Sequence, residues 1–206
     1  HSMIVVDPKT TGIDKLRPME VYGHDDAPHG HFHIRFTDVK VPAENLLLGE
    51  GRGFEISQGR LGPGRLHHCM RAIGQAEIMT RRSLAREAFG KPIAKLGANY
   101  DIIANARQDI EMARLLCLKA AWMMDQGDKR AAAPWISKIK VVAPLVALEV
   151  TDQAVQMYGA QGISQDTPLA RQWAGLRTLR LADGPDAVHR RQVARAELRK
   201  YTQEKV

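Results

Sequence analysis

Asp183 is the side chain best placed to do chemistry. It stands in Leu181-Ala182-Asp183-Gly184-Pro185-Asp186, at the mouth of the chain's last amphipathic stretch. A carboxylate beside a Gly-Pro turn, just ahead of a helix N-terminus, can serve as a general base. The same residue could instead cap that helix, a role aspartate fills well. His29, His31 and His33 would share one face of a strand. No carboxylate or thiolate follows them at a zinc-ligand spacing, so no metal site is expected. Cys69 and Cys117 fall inside helical patterns and read as small buried thiols.

The elements that must position these groups change character near residue 56. Before it, short strands are expected at Ile4–Val6, Glu20–Tyr22 and His31–Phe36, the last alternating His, Phe, His, Ile, Arg, Phe. After it, apolar residues recur at three- and four-residue spacing. Leu66, Cys69, Met70 and Ile73 give one helical face. Ile103, Ala106, Ile110, Ala113, Cys117, Ala120 and Met124 give a second. Ile136, Ile139, Ala143, Val146, Val150, Ala154 and Met157 give a third, with a kink expected at Pro144. Gly90 and Gly127 should stop helices, Pro134 and Pro168 should lie near helix starts, and Asp125–Ala133 reads as a mobile loop. Long helices with short links form an antiparallel bundle. The expected fold is therefore α+β, mainly α. Residues 1–3 read as a tag remnant, 4–56 as the end of a small β-domain, and 57–206 as a helical bundle domain.

Composition excludes several classes. The 206 residues are 44% hydrophobic and 26% charged, as in ordinary globular chains. No apolar run is read as long enough to span a bilayer, and no signal-peptide pattern opens the chain. The net charge of +7 invites a polyanion. Aromatics are only 5% and none interleaves with Arg81-Arg82 or Arg190-Arg191, so nucleic acid is not the expected partner.

Four further stretches carry a resemblance. They are Y-G-H-D-D-A-P-H-G-H at Tyr22–His31, F-T-D-V-K-V-P-A-E-N-L-L-L-G-E-G-R-G-F-E at Phe36–Glu55, R-L-G-P-G-R-L-H-H-C-M-R at Arg60–Arg71, and R-E-A-F-G-K-P-I at Arg86–Ile93. Together with Gln156–Gly162 and the Asp183 turn, in this order, the chain resembles the flavin-dependent acyl-CoA dehydrogenases. It is most similar to the subgroup that includes human family members ten and eleven, which prefer long or branched acyl chains.

The resemblance implies α,β-dehydrogenation of acyl-CoA thioesters with FAD as cofactor. Asp183 falls where the family carries its base, usually a Glu followed by Gly-Thr. Asp186 is then the better helix cap. Gly184 would lie against the thioester, while Arg65 and Arg195 match positions near CoA, where a guanidinium suits phosphate and carbonyl oxygens. For both arginines a solvated helix face is the other reading. Arg86 would reach the FAD pyrophosphate of a neighbouring subunit and Phe89 its adenosine. Gln156, Gly159 and Ala160 would meet the same neighbour's FAD through a turn of backbone N–H groups. Pro185, Asp186 and Ala187 would touch adenine or ribose. These roles imply a homo-oligomer, a dimer of dimers with FAD shared across the interface, and electron-transfer flavoprotein as electron acceptor.

Departures from the family pattern are Ala88, Gly97, Ala160, Ala174-Gly175 and Pro185, which lacks an N–H to donate. The D-G-P form marks the subgroup. By resemblance the chain begins inside the β-domain, so it is expected to be the C-terminal portion of a longer enzyme, inactive alone and without a complete flavin pocket. The compartment would be cytoplasmic in a bacterium and the mitochondrial or peroxisomal matrix in a eukaryote. The competing function is a catalytically silent oligomerisation bundle.

Overall fold

A computed structural model describes residues 1–202 of the chain. These divide into two compact units, His1–Arg60 and the residues from Leu61 onward. In the first, β1 (Ile13–Met19) and β2 (His31–Phe36) pair antiparallel, from Ile13 opposite Phe36 to Met19 opposite His31, with a bulge between Lys15 and Arg17. β2 lies where its alternation places it. The other two expected strands do not form. Ile4–Val6 contributes a single bridge, Ile4 to Leu46, and Glu20–Tyr22 a single bridge from Val21 to His24. Tyr22 and Gly23 are both left-handed there, which turns the chain instead of extending it.

The second unit is helical. α1 spans Gly53–Ala85, α2 Asn99–Asp125, α3 Lys129–Tyr158, α4 Leu169–Leu179 and α5 Asp186–Thr202. The chain is thus mainly α with a small β portion. Between α1 and α2 lies a two-residue ladder of β3 (Glu87–Ala88) and β4 (Lys91–Pro92). Its turn residues Phe89 and Gly90 both have positive φ, the geometry that suits a tight hairpin.

α3 is the axis of the bundle. It packs against α2, α4 and α5, and its Ile139, Ala143, Ala147 and Val150 share one core with Cys69, Ala72, Ile73 and Ala76 of α1 and Ile110, Ala113, Cys117 and Ala120 of α2. The small residues let the helices approach closely. Glu77 adds a polar tie from α1 to α2, accepting from Arg107 at 2.8 Å and Arg114 at 3.0 Å.

Four readings of the sequence need correction. Arg65 and His67-His68 read from the sequence as the opening of a helix, whereas α1 starts at Gly53 and continues through Pro63, so they lie well inside it. Met70 is exposed, because the buried stripe of α1 runs Cys69, Ala72, Ile73, Ala76 and Met79 instead. Asp125–Ala133 is not a loop. Only three residues link α2 to α3, and Asp128 caps α3 by accepting from Arg130 N at 2.8 Å and Ala131 N at 3.1 Å. Finally, an 18-residue window within Lys129–Ile163 is long and apolar enough to cross a bilayer by length and composition, with mean hydropathy 1.4. Its apolarity serves the core that α3 runs through, where 44% of that window is buried.

Candidate active site

The turn from α4 to α5 builds the site. Leu181 N and Ala182 N both close onto Thr178 O at 2.9 Å, which ends α4. Asp183 then takes φ +57° and Gly184 φ +105°, and Pro185 O receives Val188 N at 2.9 Å as α5 begins. Left-handed backbone at a non-glycine residue costs about 1 kcal/mol unless something holds it. Here two donors do. Arg65 Nε of α1 donates to the Asp183 carbonyl at 2.9 Å, and His189 Nε2 of α5 meets the same oxygen at 3.2 Å.

The carboxylate turns toward His68 of α1. α5 begins at Asp186, so Asp183 stands two residues before the cap position and is not the helix cap. Its side chain is 24% exposed, and Oδ2 stands 3.6 Å from His68 Nε2. Arg71 Nη2 lies 3.1 Å from His68 Nδ1. A guanidinium can only donate, so Nδ1 accepts and the His68 proton sits on Nε2, toward Asp183. Burial first, and then the Arg71 charge, hold the His68 pKa below the usual imidazole range, against the pull of Asp183.

Asp186 is the first residue of α5 and pairs with Arg180, at 2.9 Å to Nε and 2.7 Å to Nη2. Its other oxygen, Oδ1, is buried and has no partner among the described residues. Beneath the turn, Lys140 of α3 is fully buried and donates from Nζ to Leu179 O at the end of α4. Burial lowers its pKa, opposed by Cys69, Asp183 and Asp186. Arg65 too is held below its usual range by burial, with Asp183 opposing.

A second group gathers at the C-terminal end of α3. The Arg86 guanidinium lies 5.6 Å over the Tyr158 ring, its Nη1 donates to Glu87 O at 3.3 Å, and its Nε is buried without a partner among the described residues. Tyr158 donates to Arg82 O at 3.0 Å. Gln156 and Ala160 are exposed beside it, Gly159 closes α3 at φ +60°, and Phe89 stands 91% exposed at the hairpin tip. From Lys140 to Gln156 along α3 is about 25 Å, so the two groups are separate within one chain. Arg195 joins neither. It is exposed on α5, about 13 Å along the helix from Asp186.

Residues 51–198 match the model of the acyl-CoA dehydrogenase C-terminal domain. The chain belongs to the acyl-CoA dehydrogenase family. It is 52% identical to human acyl-CoA dehydrogenase family member 11 over 97% of this chain and 26% of that protein. It is 51% identical to mouse family member 10 over 97% of this chain and 19% of that protein. A solved Mycobacterium abscessus structure, named as a candidate acyl-CoA dehydrogenase, superposes with a TM-score of 0.92 at 50% identity, covering 98% of this chain and 50% of that one. The chain thus spans about a fifth to a half of the length of these relatives.

Several members of the Asp183 cluster were not read from the sequence. Lys140 sits four residues after Ile136 on an apolar stripe, so a lysine on the buried face was the available signal. His189 and Arg180 carried no such signal, because their partners lie on other turns.

Proposed function

We propose that this chain carries the proton-abstracting part of a flavin-dependent acyl-CoA dehydrogenase, with Asp183 as the base. The observation that carries the reading is the division of labour at Asp183: the carbonyl is held by Arg65 and His189, and the carboxylate is not spent on capping α5. The α C–H of a thioester is a weak acid, so its removal needs a fixed carboxylate and donors for the charge that develops on the thioester oxygen. No acceptor among the described residues takes the Asp183 N–H, which leaves that donor for the oxygen. Asp183 takes the α proton as hydride leaves the β carbon and the carbon–carbon double bond forms. FAD, when bound, supplies the acceptor for that hydride. Gly184, whose side-chain position is taken by the His189 ring, would meet the thioester through its backbone.

The Arg86 group fits the FAD phosphates. A buried guanidinium nitrogen without a partner suits an anion, and Gln156, Gly159 and Ala160 offer polar and backbone groups beside it. Pro185, Asp186 and Ala187 would face the nucleoside end at the Asp183 side, and Arg65 and Arg195 the CoA side. With about 25 Å along α3 between the two groups, a site made from both draws on two copies of the chain, in a dimer of dimers. Electron-transfer flavoprotein would take the electrons onward.

The test is Asp183→Ala in the full-length enzyme. Bleaching of the flavin by acyl-CoA should slow about a thousandfold. Unchanged bleaching would reject Asp183 as the base, whereas a full-length wild type that acyl-CoA does not bleach would favour a silent oligomerisation bundle.

A further inference from the structure

We infer that His189 is a positioning residue for the base: its Nε2–H holds the Asp183 carbonyl and thereby sets where the Asp183 carboxylate points. The inference rests on the reading of Asp183 as the base. His189 is only 1% exposed, and its ring lies between the Asp183 turn and α3. A carbonyl oxygen can only accept, so the 3.2 Å contact to Asp183 O requires the proton on Nε2. Nδ1 then faces Ser137 Oγ at 3.5 Å, and Ser137, itself 1% exposed, donates to Gln192 Oε1 at 2.5 Å. Gln192 is the next turn of α5. Because the single Ser137 proton goes to Gln192, the Nδ1 contact packs the ring against α3 without a hydrogen bond, and the ring's hydrogen bond is its grip on the turn.

Gly184 shows how close that grip is. A Cβ at 184 would stand 2.9 Å from His189 Nε2, so the imidazole occupies the space where any side chain would begin. Holding the Asp183 oxygen fixes the peptide plane between 183 and 184, and with it the left-handed conformation from which the carboxylate reaches His68. Arg65 is the other donor, from a different helix. Removing His189 leaves the turn tethered from one side only. Misplacing a reacting group by about 1 Å can cost about a hundredfold in rate.

Two measurements test this. In the chain itself, nitrogen-15 NMR of labelled histidine should show His189 as a neutral ring protonated on Nε2, and the Nδ1–H tautomer would overturn the proposal. In the FAD-loaded full-length enzyme, His189→Leu should lower kcat about ten- to a hundredfold with KM little changed. His189→Gln, which returns an N–H at similar reach, should recover most of that loss. If His189→Leu does not fold, the tautomer and the Gln variant decide: a Gln variant as slow as Asp183→Ala would refute a role met by a single N–H. Full kcat in His189→Leu, with Asp183→Ala inactive, sinks the positioning role and leaves the base standing. Full turnover in Asp183→Ala removes the base, and this proposal falls with it.

Discussion

At the scale of single residues, the Asp183 cluster is a set of buried polar groups whose charges are held in check by position. His189 shows this through its proton. Burial lowers its pKa, Arg65 and Lys140 push the same way, and the Asp183 carbonyl and Asp186 oppose them. His68 is shifted in the same direction. A folded-state pKa below the unfolded value near 6.5 means that the unfolded chain binds more protons just below that pH. Stability contributed by the neutral ring is therefore present above about pH 6.5 and lost as pH falls below it. Thermal melts of the chain should show Tm dropping between pH 7.5 and 5.5, a window chosen around that reference value. His189→Gln should flatten the drop, and an unchanged slope would place the linkage elsewhere.

At the scale of elements, helices declared themselves where one face is buried along its whole length. α2 and α3 are the clearest cases, with Ile110, Ala113, Cys117 and Ala120 on one and Ile136, Ile139, Ala143, Val150, Ala154 and Met157 on the other all buried. β2 was legible from alternation, although all six of its residues are exposed. β1 was not, since Ile-Asp-Lys-Leu-Arg-Pro-Met has no alternation and the strand exists because β2 pairs with it. The start of α1 was hidden by Gly62-Pro63-Gly64, which local propensity reads as a turn and which packing carries as helix. The site divides in the same way. Asp183 and Arg86 stand in recognisable local motifs, whereas the donors on Asp183 come from residues 118 positions and six positions away, one of them on another helix. The loop expected at Asp125–Ala133 failed for a local reason, the Asp128 cap. Asp128→Ala should remove both of its bonds to α3 and cost about 1 kcal/mol. Urea denaturation of the chain measures this, and an unchanged midpoint would mean that α3 starts without the cap.

At the scale of the whole molecule, the bundle presents two chemical groups about 25 Å apart along α3, and a net charge of +7 suits anionic ligands at either. Neither group completes the proposed reaction alone. If a site takes Asp183 from one subunit and Arg86 from its neighbour, then Asp183→Ala and Arg86→Ala are defects that a mixed dimer separates. One of its two sites would carry both defects and the other neither. Random pairing makes about half of the dimers mixed, each with one intact site, so an equal co-expression of the two full-length variants should recover about a quarter of wild-type activity. Each variant alone should remain near zero. If both groups instead serve the site of their own subunit, every site in the mixture keeps one defect and mixing restores nothing. Activity measured against the ratio of the two variants separates the cases, because recovery through shared sites must peak at equal amounts and vanish at either extreme.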